Sequence, residues 1–296
     1  MSWFLGHHTV YVMNKNEIIK IGDGIYQIKY YWLGIANVYM FLIIGRERAL
    51  LIDTGYSTTN VMKYVRHITA KPIIPVNTHG HFDHIGGNGV FQKVYLSEKD
   101  WRTAREQSDR DYLQTMLQHK KDISRIFRMM TKLPVVKKEL EESIDMGSCE
   151  YLPLPDENYF ELGNRKVLFL ETPGHTQGSI CLFDEKTGSF FPGDMFCERG
   201  VLLGFDHSTS VEEYKQSVEK AEKFYREHSG KMIFPSHHGL PVNENIFFRY
   251  RGLCDKIIFG KIKGRYIDDG ISQGLCAKEN NLQIIYKKIS RKELSS

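Results

Sequence analysis

The strongest constraint on this chain is the stretch NTHGHFDHIGGNG, residues 77–89, which places three histidines and an aspartate within six positions. Neutral imidazoles and carboxylates are the ligands that borderline divalent metals such as zinc bind in catalytic sites. Side chains two residues apart in an extended segment share a face, so His79 and His81 are spaced to bind one metal. Asp83 and His84 lie in the turn that follows, face elsewhere, and are spaced to serve a second metal.

Three later segments share one design, in which an apolar strand ends at a coordinating residue beside a glycine. LFLETPGHT supplies His175, SFFPGD supplies Asp194, and MIFPSHHG supplies His237 or His238. Coordinating residues gathered at one edge of a pair of sheets are what a two-metal hydrolytic site requires, with ions roughly 3.5–4 Å apart. Burying this many histidines and aspartates without a cation would carry a prohibitive desolvation cost. The pattern therefore predicts a metal centre.

The surrounding sequence alternates strand-like and helix-like patterns. Strands are predicted for GIYQIKYYW, NVYMFLIIG and ALLIDTG, and a hairpin turn is predicted for GRER. A further strand is predicted for PIIPVNTH, whose last residue is His79. Two further hairpins are predicted for NYFELGNRKVLFLETPGH and GSICLFDEKTGSFFPGD. An amphipathic helix is predicted for SVEEYKQSVEKAEKFYREH. This order, repeated twice, predicts two sheets face to face with helices outside them, in a single domain over residues 1–296.

Two segments stand apart from this repeat. Residues 97–146 are polar and helical in period, and predict a helical insertion after the first metal motif. Its apolar stripes, Leu113 to Leu117 and Ile123 to Met130, favour core packing, with a lid over the site as the alternative. Residues 242–296 predict a helix and a short strand near NLQIIYKKI, packed on the same domain, and a homodimer surface is the alternative for the aromatic residues of that helix.

Composition and net charge limit the classes of partner that are expected for this chain. The chain has 296 residues, of which 41% are hydrophobic and 26% charged, as in an ordinary globular protein. Its five cysteines form no close pair, and no apolar run approaches about 18 residues, so we predict a cytoplasmic protein without a membrane partner. A net charge of +4 falls short of a nucleic-acid footprint, so a small-molecule substrate is expected.

The motifs resemble those of a known family. HGHFDHIGG is similar to the HxHxDHxGG signature of the metallo-β-lactamase superfamily, and PGH, GD and PSHHG follow in that family's order. LIDTG with Asp53, and Asn37 in ANVYMFL, resemble its opening strands. The resemblance extends over residues 22–241 and implies an α/β fold, the αββα four-layer sandwich, with the metals at one edge of the sheets.

The resemblance also implies a set of metal ligands. By it, His79, His81 and His175 hold a first metal, Asp83, His84 and His237 hold a second, and Asp194 bridges the two. His237 is preferred to His238 because the family's histidine usually lies two residues after the proline, here Pro235. His238 is then a second-shell or surface residue.

Further roles are assigned to residues around the ligands. Two divalent ions, zinc first with manganese or iron as alternatives, would lower the pKa of a shared water to roughly 7 and provide hydroxide as the nucleophile. Asp83 is the catalytic candidate, because it could also orient that hydroxide or move its proton. Asp53 is interpreted either as a strand-end turn former or as a second-shell partner of a metal histidine. Cys197 is interpreted as an inert thiol, and His207 is a further candidate for a position near the metals.

The metal motif alone does not identify the substrate class, because family members act on thioesters, lactones, other esters, β-lactams and phosphodiesters. Asp194 stands where some β-lactamases have a cysteine ligand, and neither a glutathione-binding tail, a flavin domain nor a basic nuclease module is found. We therefore predict hydrolysis of a carboxylic ester, thioester or lactone. The alternatives are a β-lactamase or phosphodiesterase of the same superfamily and a mononuclear iron persulfide dioxygenase. A catalytically inactive binding module should have lost ligands, and none is missing.

Overall fold

The fold is described by a computed structural model that covers residues 10–13, 16–32, 36–56, 60–108, 146–268 and 273–287. The strands of these residues are β1 (Val10–Met13), β2 (Asn16–Gly22), β3 (Ile25–Trp32), β4 (Ala36–Ile44), β5 (Ala49–Ile52), β6 (Ile73–Val76), β7 (Lys93–Tyr95), β8 (Glu150–Leu152), β9 (Tyr159–Glu161), β10 (Lys166–Glu171), β11 (Ile180–Asp184), β12 (Ser189–Phe191), β13 (Gly200–Leu203), β14 (Met232–Ile233), β15 (Arg265–Asp268), β16 (Gln273–Glu279) and β17 (Leu282–Tyr286). The α-helices are α1 (Val61–Ile68), α2 (Phe82–Ile85), α3 (Trp101–Ser108), α4 (Val211–Glu227) and α5 (Asn245–Ile258).

The strands of the described residues form three sheets. The first sheet contains β1 to β8 in sequence order, and the second has the order β14-β12-β11-β10-β9. The third sheet has the order β13-β17-β16-β15. The predicted turn at residues 45–48 joins β4 to β5, which pair in antiparallel fashion from Phe41–Ile52 to Ile44–Ala49.

The first and second sheets pack face to face because their strands are apolar on both sides. Phe41 and Ile43 of β4 share one buried cluster with Leu182 of β11 and Phe191 of β12, and the rings of Phe41 and Phe191 are 4.9 Å apart. The neighbouring residue Leu42 belongs to the opposite face. Successive residues of a strand point to opposite faces, so each strand contributes to the inner core and to an outer one.

Helices cover the outer faces of both sheets. Val61 and Val65 of α1 pack on the outer face of the first sheet, together with Leu42. Tyr214 of α4 and Tyr250 of α5 pack with Phe183 and Phe190 on the outer face of the second sheet. The order of layers is helix, sheet, sheet, helix. The predicted αββα sandwich is therefore confirmed.

The third sheet adds strands that the sequence did not predict. β17 lies where a short strand was predicted, but it pairs in parallel with β13, from Gly200–Gln283 to Leu203–Tyr286. β15 and β16 complete this sheet, and β15 is an edge strand whose side chains are mostly exposed. An exposed edge strand needs no apolar alternation, so its sequence carries no strand signal. This sheet fixes β13 beside the predicted metal ligands.

The predicted insertion over 97–146 is described only at its two ends. It begins with a 3₁₀ turn, Glu98–Asp100, followed directly by α3, and a second 3₁₀ turn covers Met146–Ser148. Residues 109–145, which contain both predicted apolar stripes, lie outside the described residues. Core packing of these stripes and the alternative, a lid over the site, therefore both stay predictions.

Among the helices just described, none combines the length and apolarity needed to cross a membrane.

Candidate metal centre

The predicted ligands follow the carboxyl ends of strands that run in the same direction within each sheet. In the first sheet β5 and β6 are parallel, and Asp53 and His79 follow them. In the second sheet β12 and β14 are parallel, and Asp194 and His237 follow them. His175 follows β10, which is antiparallel to β11 and so runs in the direction of β12. One edge of the sandwich therefore collects all of these side chains.

A first cluster consists of His79, His81 and His175, whose ligand atoms lie within 4.8 Å of one another. His79 Nε2 is 3.1 Å from His81 Nδ1, and all three side chains are buried. Burial lowers the pKa of His79 and of His81 well below the ordinary value, and the neighbouring imidazoles lower it further. The rings are therefore neutral at physiological pH, which is the form that binds a metal.

A second cluster consists of Asp83, His84 and His237. His84 Nε2 and His237 Nε2 are 3.3 Å apart, and Asp83 Oδ2 lies 3.4 Å from His237 Nε2. Burial opposes ionisation of Asp83, but the His84 and His237 imidazoles lower the pKa of its carboxyl to about 2. The Asp83 carboxylate is therefore ionised at neutral pH, the form in which it binds a metal.

Asp194 lies between the two clusters. Its Oδ2 is 3.7 Å from His175 Nε2 of the first cluster and 3.3 Å from His237 Nε2 of the second. Its Oδ1 is 3.5 Å from His84 Nε2, and Asp194 also forms a ligand group with His79 and His84. A carboxylate in this position faces both clusters at once.

The donor set fits divalent metal ions. Ligands held about 2.0–2.1 Å from a tetrahedral zinc lie roughly 3.3 Å from one another. The ligand atoms in the two clusters and Asp194 approach to 3.1–3.7 Å. In addition, His175 Nε2 and Asp194 Oδ1 are buried and make no hydrogen bond to any described residue. Buried polar atoms are ordinarily satisfied, and a cation between the clusters would satisfy both.

Asp53 orients a histidine of the second cluster. Its Oδ2 lies 2.8 Å from His84 Nδ1, and its Oδ1 accepts a hydrogen bond from the Thr78 backbone N–H at 2.8 Å. With Nδ1–H donated to Asp53, His84 Nε2, which faces Asp83 and Asp194, is the nitrogen left to bind a metal once its proton is displaced. Asp53 has φ +61°, a left-handed conformation that is uncommon for residues other than glycine and is found at functional sites. This geometry supports the second-shell interpretation over a plain turn former.

The third sheet orients a histidine of the first cluster. His175 Nδ1 lies 2.7 Å from the carbonyl oxygen of Leu202 on β13 and donates to it. His175 Nε2 is then free to bind a metal, as is usual for metal-binding histidines. This contact could not be predicted from the sequence, because a backbone carbonyl acceptor does not depend on residue type.

The remaining candidates lie around the clusters. The His238 ring is 6.4 Å from the His237 ring, and His238 belongs to no ligand group of the described residues, so the structure brings His237 and not His238 to the second cluster. Cys197 is buried and also belongs to none of these groups, and burial raises the pKa of its thiol well above the ordinary value. It is therefore protonated, as expected of an inert thiol.

His207 contacts the first cluster from the loop after β13. Its Nε2 is 2.6 Å from His81 Nε2, the ring nitrogen that faces away from His79. The His207 ring is stacked on Phe205 with centroids 5.3 Å apart, and Phe205 also packs against the edge of the His81 ring. His207 was only a weak candidate from the sequence, because it lies 126 positions from His81.

Replacing Asp53 with alanine is expected to weaken metal binding at the second cluster by about 10- to 100-fold, as loss of a residue that orients a metal ligand typically does. The reason is that His84 loses the acceptor that fixes its tautomer. Zinc titration of the metal-free protein against a chromophoric chelator measures this. An unchanged affinity for both metals would contradict the orienting role.

The two clusters are expected to differ in how metal binding depends on pH. Burial opposes protonation of His84 and His237, but the Asp83 and Asp194 carboxylates outweigh it, raising the pKa of His84 to about 10 and that of His237 well above its ordinary value. Both rings are therefore protonated at neutral pH without metal, and a metal must displace their protons. The affinity of the second cluster should rise about 10- to 100-fold per pH unit, for one or two protons displaced.

The first cluster should show little dependence on pH over the same range. The pKa values of His79 and His81 lie well below 6.5, so no proton has to leave between pH 7 and 8. Cobalt titrations of the metal-free protein at pH 7 and pH 8 separate the two steps. Equal pH dependence of both steps would contradict this assignment of charge.

Comparison with known proteins agrees with this geometry. The family model described as the metallo-beta-lactamase superfamily matches residues 33–98. The acyl-coenzyme A thioesterase MBLAC2 of Homo sapiens is 25% identical over 268 residues, covering 80% of this chain and 88% of that protein. The probable polyketide biosynthesis zinc-dependent hydrolase PksB of Bacillus subtilis (strain 168) is 24% identical, covering 83% of this chain and 96% of its own length.

Solved structures show the same fold. A metallo-beta-lactamase from Pontibacter korlensis superposes with a TM-score of 0.59 at 18% identity, covering 81% of this chain and 99% of that structure. With the histidine clusters at the expected edge of the αββα sandwich, the chain is a metal-dependent hydrolase with the metallo-beta-lactamase fold, and it is similar in sequence to members of that superfamily.

Proposed function

We propose that this chain hydrolyses a carboxylic thioester, ester or lactone with two divalent ions, zinc first, held by the two ligand clusters. The observation that carries the proposal is the Asp194 carboxylate, which lies within 3.7 Å of ligand atoms in both clusters. When bound, two such ions supply hydroxide at neutral pH from a shared water and stabilise the negative charge that develops on a carbonyl oxygen.

Each of the two ions would be bound by its own set of ligands. His79, His81 and His175 would hold the first ion, Asp83, His84 and His237 the second, and Asp194 both. Asp53 and the Leu202 carbonyl keep His84 and His175 in the tautomers that leave Nε2 free. Both contacts are made by the folded chain itself and hold the two rings in one orientation.

Asp83 is proposed to orient the attacking water. The pKa of its carboxyl is about 2, so it is ionised at neutral pH and accepts hydrogen bonds. A carboxylate with so low a pKa is a weak base, because general bases work best with a pKa near the operating pH. We therefore assign Asp83 to orientation of the water and not to storage of its proton.

Thioesters are the substrate class to test first. The MBLAC2 relatives are named as acyl-coenzyme A thioesterases, and the alignment covers most of both chains. PksB, named as a zinc-dependent hydrolase, supports zinc as the metal. Cytoplasmic location and a small-molecule substrate, with no nucleic acid or membrane partner, complete the proposal on the sequence arguments of composition and charge.

A substrate panel tests the proposed bond type. Zinc-loaded protein is assayed with acyl thioesters of several chain lengths, aliphatic lactones, aryl esters, a β-lactam and a phosphodiester. We expect kcat/KM for the best carboxylic substrate to exceed that for the β-lactam and the phosphodiester by at least about 100-fold, a difference of roughly 2.7 kcal/mol in transition-state binding. Protein stripped with a chelator is the control, and zinc should restore its activity. A phosphodiester or β-lactam as the best substrate would contradict the proposal.

A further inference from the structure

We infer that Asp100 is a positioning residue that locks together the two loops carrying the three histidines of the first metal, an inference that rests on the proposed metal site. One of these loops runs between β6 and α2 and contains His79 and His81. The other follows β10 and contains His175. Asp100 belongs to neither loop, because it lies in the 3₁₀ turn just before α3.

The Asp100 carboxylate joins the two loops through three short hydrogen bonds. Its Oδ2 accepts from the backbone N–H of Gly80, between His79 and His81, at 2.8 Å. The same oxygen accepts from Thr176 Oγ1, next to His175, at 2.7 Å. Its Oδ1 accepts from the backbone N–H of Gly178 at 2.8 Å. One buried side chain therefore fixes the spacing of all three predicted ligands of the first metal.

The loops approach Asp100 so closely that two glycines are required. A Cβ atom added to Gly178 would lie 2.7 Å from Asp100 Cγ, and one added to Gly80 would lie 3.0 Å from the Asp100 carbonyl oxygen. Contacts below 3.0 Å are not tolerated without movement, and 3.0 Å is tight for a backbone atom. These glycines let both loop backbones pack directly on Asp100.

The charge of Asp100 points to the metal site as well. The side chain is fully buried, and no Lys, Arg or His of the described residues forms an ion pair with it. Burial raises the pKa of its carboxyl, while the Thr176 hydroxyl and the two glycine amides oppose that rise. A buried carboxylate ordinarily has a cationic partner. A divalent ion held by the adjoining histidines would supply the compensating positive charge.

The same region ties α3 to the loop of the second cluster. Gln107, in the last turn of α3, accepts a hydrogen bond from the backbone N–H of Phe82 at 2.9 Å. Phe82 immediately precedes Asp83 and begins α2. The segment from Asp100 to Gln107 thus contacts the first metal motif at both of its ends, and it is continuous with residues 109–145.

Asparagine at position 100 cannot reproduce this arrangement. If its amide oxygen takes the place of Oδ2, it accepts from Gly80 and Thr176, but its NH2 group then faces the Gly178 N–H, and two donors oppose each other. Asp100→Asn should therefore weaken the link between the His175 loop and the His79 loop, because one of its three hydrogen bonds is replaced by a repulsive contact between two donors. The fold itself should persist, because the side chain changes little in size.

The test is titration of metal-free full-length protein with Co²⁺ and then with Zn²⁺ in competition with a chelator. For Asp100→Asn we expect the first metal equivalent to bind about 10- to 100-fold more weakly than in wild type, with an altered Co²⁺ visible spectrum. Hydrogen exchange of the Gly178 amide, measured without metal, should be faster in the variant. Thr176→Val removes a single donor and should shift the affinity in the same direction by less.

Asp184→Asn is the matched control, because Asp184 is an equally buried carboxylate that pairs with Arg165 away from the site. It should lower the Tm without changing the first-metal affinity or the Co²⁺ spectrum. Wild-type affinity and spectrum in both Asp100→Asn and Thr176→Val would overturn the inference while leaving the proposed function intact. A wild-type protein that binds no metal would overturn the proposed function, and the inference with it.

Discussion

Replacing Asp194 with alanine is expected to reduce the bound metal to at most one ion per chain and to lower kcat/KM by at least about a thousandfold. Asp194 is the only carboxylate of the described residues that contacts ligand atoms of both clusters, at 3.3–3.7 Å. Without it each cluster would lose the carboxylate ligand that the two clusters share. Metal catalysis supplies several kcal/mol of transition-state stabilisation, and about 4 kcal/mol corresponds to a thousandfold in rate.

The lower kcat/KM of the Asp194→Ala protein should come from loss of the metal-dependent reaction and not from unfolding of the protein. Asp23→Asn removes an exposed carboxylate whose partner, Lys186, lies 2.9 Å away, and it should leave metal content and kcat/KM unchanged. Both variants are compared with wild type by elemental analysis, steady-state kinetics and circular dichroism. If a folded Asp194→Ala protein retained two tightly bound ions and normal hydrolysis, the bridging role would be wrong.

Replacing Arg165 with alanine is expected to lower the free energy of unfolding by about 3–5 kcal/mol, because it leaves a buried carboxylate without its partner. Arg165 Nε and Nη2 donate to the two oxygens of Asp184 at 2.7 and 2.8 Å, and both side chains are almost completely buried. Arg165 Nη1 also donates to the carbonyl oxygens of Asp23 and Ile44, each at 2.9 Å. The guanidinium thus joins the second sheet to the hairpin ends of the first.

Urea or thermal unfolding of metal-free protein measures this effect. Arg46→Ala is the matched control, since the Arg46 side chain is exposed and pairs with the exposed Glu47 at 3.1 Å in the hairpin turn next to Ile44. An exposed pair of this kind contributes about 0–1 kcal/mol, so the control should be close to wild type. Equal unfolding free energies for Arg165→Ala and Arg46→Ala would show that the buried pair has no net stabilising role.

The parts of the site that could be predicted are those encoded locally. His79, His81, Asp83 and His84 lie within six residues, so one motif placed them, and His175, Asp194 and His237 each follow an apolar strand. Strands of like direction end at one edge of a sheet, and that rule alone brings such residues together. The order of strand-like and helix-like segments, which occurs twice along the chain, predicted the two-sheet core in which β4 and β11 pack.

The parts that could not be predicted depend on contacts between distant residues. Asp100 accepts hydrogen bonds from Gly80, Thr176 and Gly178, which lie 20, 76 and 78 positions away along the chain. In the sequence alone it cannot be distinguished from an ordinary residue at the start of a helix. The Leu202 carbonyl that orients His175 is a backbone atom on β13, which is held by β17 some 80 positions later. His207 lies in the loop after β13, so its contact with His81 also depends on the position of that strand. Local patterns specify which residues can bind a metal, whereas pairing of remote strands decides what surrounds them.

The most direct test of the central claim is the metal content of untagged protein, purified without chelator from cells supplied with both zinc and iron and measured by elemental mass spectrometry. A dinuclear centre built from the two clusters and Asp194 predicts about two zinc, or manganese, ions per chain. One iron ion per chain would contradict the dinuclear hydrolase and favour the oxidative alternative. The absence of any bound metal would contradict the assignment of the histidine clusters as a metal centre.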